Sequence, residues 1–157
     1  MTVKEELLGA KVEERFGDKL SVTLVRPNRA WISVTLENLP ELAKWLKEQE
    51  GYYHCSTITG LDSGENLEAL YHVTSGEGEL TLRLAVPKAN PHIPTMTGIW
   101  PGAVLYEREL QDMFGFVVDG HPDPRRYILP EDWPDGVYPL RKDYVYTYQE
   151  APLAKKE

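Results

Sequence analysis

Residues able to take part in chemistry are concentrated between Glu107 and Asp143, where acids, arginines and a histidine alternate with prolines and aromatics. Glu107 and Glu109 could be imagined as an acid–base pair, but two residues apart on a helix their side chains diverge by about 200°. The spacing offers neither a nucleophile nor a paired base. The stretch therefore does not predict a catalytic centre.

The four histidines, His54, His72, His92 and His121, do not fall at metal-ligand spacings with one another or with Cys55. His54 and Cys55 are adjacent on a predicted strand, so their side chains would point to opposite faces. A single cysteine cannot hold an iron–sulfur cluster. We therefore predict no metal and no cofactor in this chain.

Binding of phosphates and nucleic acids is not supported either. The sequence Ser75-Gly76-Glu77-Gly78 lacks the Gly-Lys-Ser/Thr ending of a phosphate loop and is better interpreted as a hairpin turn. No GxGxxG motif follows a predicted strand. The net charge is −8, without a basic stripe, so we expect no nucleic-acid partner.

Two basic pairs stand out, Arg125-Arg126 and Arg141-Lys142. A guanidinium group can hold a carboxylate through two parallel hydrogen bonds. The arginines could bind an anionic ligand, pair within the chain, or reach acids of a partner, and the sequence leaves these three uses open. The acids considered for pairing within the chain are Asp123, Glu131, Asp132 and Asp143.

The elements that would position these residues form an α+β domain. Helices are predicted from residues 3–16, 39–50 and 101–114, from apolar periodicity, capping residues and closing glycines. Alternating patterns predict strands, the first two joined at Pro27-Asn28, and together a mostly antiparallel sheet with helices packed on one face. The predicted strands are residues 20–26, 31–36, 52–60, 67–74 and 80–87.

The helix of residues 101–114 has two different sides. Its charged side also carries Val104 and Leu105, which favours a docking face, but a solvated face with an Arg108–Asp112 pair is equally compatible. Five residues lie within an arc of about 100°, the width of a core-facing stripe. They are Ala103, Tyr106, Leu110, Met113 and Phe114.

An extended proline-rich C-terminal strap follows this helix. Six of the 12 prolines lie in residues 116–157, so this strap cannot be a long helix or a central strand. Its many apolar and aromatic residues must be buried against its own sheet or a neighbouring subunit, and we favour the neighbour. We divide the chain into residues 1–115, a platform, and residues 116–157, the strap, within one domain, and expect residues 151–157 to be frayed.

The chain lacks an apolar run of the roughly 20 residues needed for a membrane helix. Its N-terminus has no apolar signal region, and its one cysteine forms no internal disulfide, so we predict a cytoplasmic protein.

The stretch from Glu107 to Asp143 resembles the signature of the C subunit of the proton-pumping NADH:quinone oxidoreductases (respiratory complex I). This family is shared with membrane-bound, energy-converting hydrogenases. The resemblance holds in order and nearly in spacing. The matching motifs are Glu107-Arg108-Glu109, Asp112-Met113-Phe114-Gly115, Gly120-His121-Pro122, Arg125-Arg126, Leu129-Pro130, Asp132-Trp133 and Pro139-Leu140-Arg141-Lys142-Asp143.

The resemblance implies a cofactor-free subunit of the peripheral arm on the cytoplasmic side of the membrane. It would lie beside the large catalytic subunit and the iron–sulfur subunits, which would carry the iron–sulfur clusters and a nickel–iron centre or flavin, and would meet the membrane arm indirectly. Trp133 would act as an aromatic anchor. The predicted interface residues are Glu107, Arg108, Glu109, Asp112, Phe114, Gly115, Gly120, His121, Pro122, Arg125, Arg126, Asp132, Trp133, Pro139, Leu140, Arg141, Lys142 and Asp143.

Two departures from the pattern favour the hydrogenase-like branch. The five residues 134–138 lengthen the link after Trp133, and Pro124 stands where a leucine is usual. The alternative hypothesis is a stand-alone protein or enzyme that binds a small anion through His121, Arg125, Arg126 and Arg141.

Overall fold

The computed structural model describes residues 3–17, 20–26, 29–76 and 78–146. The predicted turn at Pro27-Asn28, Glu77 of the second turn and the predicted fraying of residues 151–157 lie outside these ranges. The helices within them are α1 Val3–Phe16, α2 Leu39–Glu48 and α3 Ala103–Phe114. The strands are β1 Ser21–Arg26, β2 Arg29–Val34, β3 His54–Asp62, β4 Asn66–Ser75, β5 Gly78–Pro87, β6 His92–Pro94 and β7 Val117–Asp119.

The sheet is mixed, so the prediction of a mostly antiparallel sheet was wrong. Its order is β1-β2-β5-β4-β3. β5 lies between β2 and β4, and β2 and β5 run parallel, with Ile32 opposite Leu82. Parallel strands need a long crossover connection, and α2 with β3 and β4 supplies it. The alternating pattern of β5 is the same in either orientation, so the sequence could not reveal this pairing.

One face of the sheet carries the core. The register places Leu82 beside Ile32 and Tyr71, and all three side chains are fully buried. Buried residues of α1, α2 and α3 belong to the same hydrophobic cluster. The other face is polar, with Arg83 paired to Glu68 through two hydrogen bonds of 2.7 and 2.8 Å. The fold is therefore α+β, with an apolar face of the sheet that shares its core with the helices.

Helix α3 packs against β3 at Gly60. A Cβ atom added there would lie 2.4 Å from the ring of Phe114, so only glycine allows the helix to come this close. Gly115 ends the helix in a left-handed conformation, with φ of 75°. Ala103, Leu110 and Phe114 are buried as predicted, and the predicted core residues Tyr106 and Met113 are partly buried against the same cluster.

A second, two-stranded sheet was not predicted. β6 pairs in parallel with β7, with Ile93 opposite Val118, and both side chains are buried. Strands of three residues are too short to produce a period that the sequence would show. The pairing fixes the first residues of the strap to the loop that precedes α3.

Beyond β7, residues 120–146 contain neither helix nor strand. Among the helices of the described ranges, none is long and apolar enough to cross a membrane.

Candidate functional site

Glu107 lies on the inward side of α3 and its side chain is fully buried. It accepts a hydrogen bond of 2.6 Å from Thr95 Oγ1 and another of 2.6 Å from the Met96 N–H. Burial raises the pKa of this carboxyl, although the two hydrogen bonds and His121 oppose the rise. Glu107 therefore holds the preceding loop against α3, an internal role that its position among charged residues did not predict.

His121 fastens the start of the strap to α3. Its Nε2 lies 3.0 Å from the Val104 carbonyl oxygen, and its Nδ1 lies 3.0 Å from the Asp123 N–H. Since a backbone N–H can only donate, Nδ1 must accept and Nε2 must carry the proton, which assigns the neutral Nε2–H tautomer. Glu107 Oε2 lies 3.7 Å from Nε2. The imidazole is fully occupied within the chain.

Asp112 binds three successive backbone N–H groups of the strap. Its Oδ2 accepts from Tyr127 at 2.8 Å, Ile128 at 2.7 Å and Leu129 at 3.2 Å. Successive N–H groups converging on one oxygen form an anion-binding nest, here filled by a side chain of the same molecule. The Arg108–Asp112 pair, one of the two alternatives left open, is not formed, because the backbone of the strap satisfies the carboxylate instead.

Arg108 also binds the strap. Its Nε donates to the carbonyl oxygen of Arg125 and its Nη2 to that of Arg126, both at 2.8 Å. Its guanidinium lies over the ring of Tyr127, 5.1 Å from the centroid. The strap of the same chain therefore covers part of the charged face of α3, at Arg108 and Asp112. Leu105 and Glu109 on the same face are exposed.

The arginine pair is used within the chain. Arg125 grips Asp123 through hydrogen bonds of 2.7 and 2.8 Å, which hold the pKa of Asp123 well below its usual range. Arg126 donates to Asp135 Oδ1 at 2.6 Å and to the Trp133 carbonyl oxygen at 2.7 Å. Asp135 was not among the acids considered, because the loop that brings it back to Arg126 has no sequence signal.

The far end of the described strap is fastened to the end of α3. Arg141 Nε donates to the Phe114 carbonyl oxygen at 2.6 Å, and the Leu140 N–H donates to that of Met113 at 3.1 Å. The Arg141 guanidinium stacks over the Tyr138 ring, 4.3 Å from its centroid. Tyr138 itself lies over Gly115.

Asp62, at the end of β3, provides a further attachment that sequence reasoning missed. It is buried and accepts hydrogen bonds from Lys88 Nζ at 2.7 Å, the Lys142 N–H at 2.9 Å and the Gly64 N–H at 2.8 Å. Lys88 Nζ also lies 3.2 Å from Asp143 Oδ2. Lys142 and Asp143 were predicted for the interface, but the link from Lys142 to Asp62 spans 80 positions and no local pattern could show it.

The predicted interface residues divide by exposure. Each of the four residues proposed to bind a small anion has a hydrogen-bond partner within the chain, in Val104, Asp123, Asp135 and Phe114. Glu107, Asp112, Phe114 and Gly115 are buried, and Arg108, His121, Arg126, Trp133, Pro139 and Arg141 are half-buried. The exposed members are Glu109, Gly120, Pro122, Arg125, Asp132, Leu140, Lys142 and Asp143.

Large apolar side chains are exposed on the outside of the strap. Tyr127 and Ile128 are each 48% exposed, although their backbones are fixed by Asp112. We call this set the outer strap surface. It comprises Tyr127, Ile128, Leu140, Val145 and Tyr146.

The described part of the chain contains no group of three or more His, Cys, Asp or Glu residues placed so that they could hold a metal ion. The single cysteine, Cys55, is buried, and burial raises the pKa of its thiol to about 12. A thiol of this kind is a poor nucleophile.

The profile of the family described as the respiratory-chain NADH dehydrogenase 30 kDa subunit matches residues 32–150. The chain belongs to this family. The resemblance found from the residues between Glu107 and Asp143 is confirmed. The match also covers most of the platform, which had not contributed to the recognition.

Relatives of known name agree with the family. The membrane-bound hydrogenase subunit beta of Pyrococcus furiosus is 34% identical over 150 residues, covering 89% of this chain and 86% of the relative. The C subunit of the NADH-quinone oxidoreductase of Herpetosiphon aurantiacus is 32% identical over 157 residues, covering 94% and 91%. Formate hydrogenlyase subunit 5 of Escherichia coli is 35% identical over 167 residues, covering 99% of this chain and 29% of that longer protein.

Solved structures share the fold. A chain of the membrane-bound sulfane sulfur reductase, an archaeal respiratory membrane complex, superposes with a TM-score of 0.80 at 24% identity, covering 90% of this chain and 86% of that one. The trypsin-resistant fragment of Nqo5 superposes with a TM-score of 0.64 at 26% identity, covering 74% of this chain and 98% of the fragment.

Proposed function

We propose that this chain is a non-catalytic structural subunit of the peripheral arm of a complex-I-related membrane oxidoreductase. It docks on the large catalytic subunit and lies near the iron–sulfur subunits of the same complex. Membership of the 30 kDa subunit family supports this, as do the hydrogenase and quinone-oxidoreductase names of its relatives. The iron–sulfur clusters and the nickel–iron centre or flavin belong to the partner subunits. These partners also hold the chain at the cytoplasmic face of the membrane.

The observation that carries the proposal is the outer strap surface. Asp112 of α3 holds the N–H group of Ile128, and the Met113 carbonyl oxygen holds that of Leu140. The two side chains are nevertheless 48% and 50% exposed. Exposed apolar side chains on a fixed backbone are typical of a protein interface, because docking then costs little ordering entropy. The charged groups beneath it are already paired, so the surface offers mainly apolar contact with polar edges.

The hydrogenase-like branch is our proposal for the type of complex. Pro124 and the five residues from Pro134 to Tyr138 are the departures that favour it. Electron donor and acceptor are chosen by the partner subunits.

The test is a double substitution, Ile128→Asp with Leu140→Asp, in a tagged chain that is expressed in the organism from which the protein comes. We expect at least about a tenfold loss of the large subunit recovered from solubilised membranes, because two apolar contacts become buried charges. The isolated variant should melt close to wild type, since both side chains are exposed. The subunit is quantified by mass spectrometry.

Leu36→Asp is the matched control. Leu36 is 41% exposed and lies in the turn between β2 and α2. This control variant should leave the amount of large subunit recovered unchanged. Wild-type recovery of the large subunit by the double variant would refute docking through this surface.

A further inference from the structure

Two charged side chains of α3, one turn apart, hold five consecutive residues of the strap. Arg108 donates to the carbonyl oxygens of residues 125 and 126, and Asp112 accepts the N–H groups of residues 127–129. We call Arg108 and Asp112 the α3 clamp. All five of these hydrogen bonds go to main-chain groups, so the clamp fixes the path of the segment and does not use up its side chains.

The clamp itself has little surface to offer a partner. The side chain of Arg108 is 13% exposed, and Asp112 is buried. Arg108 Nη1 also lies 3.5 Å from Asp123 Oδ2. A protein that bound either clamp residue directly would have to displace these contacts and leave groups of the strap without their partners. Direct contact between the clamp and another subunit is therefore unfavourable.

The side chains that the clamp presents are Tyr127 and Ile128 of the outer strap surface, each 48% exposed. The guanidinium of Arg108 lies 5.1 Å from the centroid of the Tyr127 ring, so the clamp orients this ring as well as the backbone. Ordering a backbone segment costs conformational entropy. Because the clamp orders this segment during folding, the cost does not fall on the docking step.

We propose that Arg108 and Asp112 are positioning residues for docking on the large catalytic subunit. They hold Tyr127 and Ile128 in the orientation that the large subunit recognises, and neither charge touches it. The sequence predicted both for the interface, and the role that we assign to them is indirect. The inference rests on the proposed function and adds to it the device that shapes the docking surface.

The first test is Asp112→Asn, which keeps the shape of the side chain and removes its charge. A neutral acceptor binds N–H groups more weakly than a carboxylate does. In the free chain, amide hydrogen exchange at residues 127–129 should become about tenfold faster, while exchange in β4 and β5 stays as in wild type. Recovery of the large subunit with the tagged chain should fall by about three- to tenfold.

Arg108→Lys is an independent test of the other half of the clamp. It keeps the positive charge, but an ammonium group lacks the planar fork that binds two carbonyl oxygens and stacks on a ring. Recovery of the large subunit should again fall by about three- to tenfold, although the net charge of the chain is unchanged.

Glu50→Gln is the matched control for stability. Glu50 follows α2 and accepts a hydrogen bond of 2.7 Å from Lys11 of α1. Loss of this ion pair should lower the melting temperature of the free chain. It should change neither the exchange at residues 127–129 nor the recovery of the large subunit.

A combined variant separates positioning from a general contribution to stability. Tyr127→Ala with Ile128→Ala removes the presented side chains and should lower recovery about tenfold. Adding Asp112→Asn to this pair should lower recovery by much less than it does in the wild-type chain, because the side chains that the clamp orients are already gone. Effects of independent sites would multiply instead.

Four results would overturn the inference. Unchanged exchange at residues 127–129 in Asp112→Asn would show that the charge does not hold the segment. Faster exchange with wild-type recovery would show that docking does not need the clamp. Multiplying effects in the combined variant, or an equal loss of recovery in Glu50→Gln, would reduce the clamp to a part of overall stability. Failure of the wild-type chain to recover the large subunit would instead refute the proposed function.

Discussion

At the scale of single residues, two carboxylates bind backbone N–H groups of the strap. Asp112 accepts N–H groups at the beginning of the strap, and Asp62 accepts one near its described end. Charge-assisted hydrogen bonds to backbone N–H groups are stronger than neutral ones and leave the side chains of the strap free to face outward. Acids that suggested an interface or an active site are therefore first of all internal acceptors.

Asp62 makes stability depend on pH. Burial acts to raise its pKa, but the hydrogen bonds from Lys88, Lys142 and Gly64 outweigh it and lower the pKa from 3.8 to about 2. A carboxyl with a depressed folded-state pKa stabilises the fold above its unfolded value of 3.8, and this contribution is lost as pH falls toward about 2.

We therefore expect Asp62→Asn to be less stable than wild type at pH 7, with a difference that shrinks between about pH 4 and pH 2. The free energy of unfolding is measured by urea denaturation at several pH values. Asp132→Asn, at an exposed acid of the strap, serves as the control and should follow the wild-type curve. A constant difference between Asp62→Asn and wild type across that pH range would contradict the assignment.

At the scale of elements, α3 is the helix that contacts the sheet, the preceding loop and the strap. Gly60 lets it approach β3, Glu107 fixes the preceding loop, and Asp112 with Arg108 binds the strap. Its termination at Gly115 was predictable, since a glycine follows the last periodic residue. Its opposite face was not, because a charged helix surface looks the same whether water or another segment of the chain covers it.

Gly115→Ala tests the contact between the end of α3 and the strap. An added Cβ would lie 2.3 Å from Cζ of Tyr138, and the φ of 75° is itself unfavourable for alanine. We expect a loss of about 2–4 kcal/mol in the free energy of unfolding, from the left-handed conformation and overpacking together.

Gly136→Ala separates these two causes. Gly136 has a similar φ of 77°, but nothing lies within 4 Å of an added Cβ. It should cost only about 1 kcal/mol. Equal losses for the two alanine variants would show that Tyr138 does not pack on Gly115.

At the scale of the whole molecule, we predict that platform and strap form one cooperative unit. The strap is bonded to α3, to β3 through Asp62 and to β6 through β7. Elements linked at several separate points unfold together, since releasing one exposes the buried groups of the others.

The chain provides a convenient reporter of this cooperativity. It has four tryptophans, of which Trp31, Trp45 and Trp100 lie in the platform and Trp133 in the strap. With fluorotryptophan labelling, the four fluorine signals should lose their folded form at the same urea concentration. A Trp133 signal that disappears at clearly lower urea would show that the strap unfolds on its own.

The sequence by itself determined the family, the α+β class and the position of α3 with its glycine stop. These depend on local information, namely fixed residues at fixed spacings, apolar periodicity and capping. It also determined the alternating face of β5, whose Leu80, Leu82 and Leu84 are fully buried.

Only the tertiary structure decided what the stretch from Glu107 to Asp143 contacts. The parallel pairing of β5 with β2, the burial of Glu107, and the contacts of Asp112 and Asp62 with the strap join residues far apart in the chain. Such contacts follow from the way elements pack, and a charged side chain carries no local mark of the backbone group it will bind. The sequence suggested that a neighbouring subunit holds the strap. In the structure the strap is fastened first to its own domain, and its outer surface is left for the partner we propose.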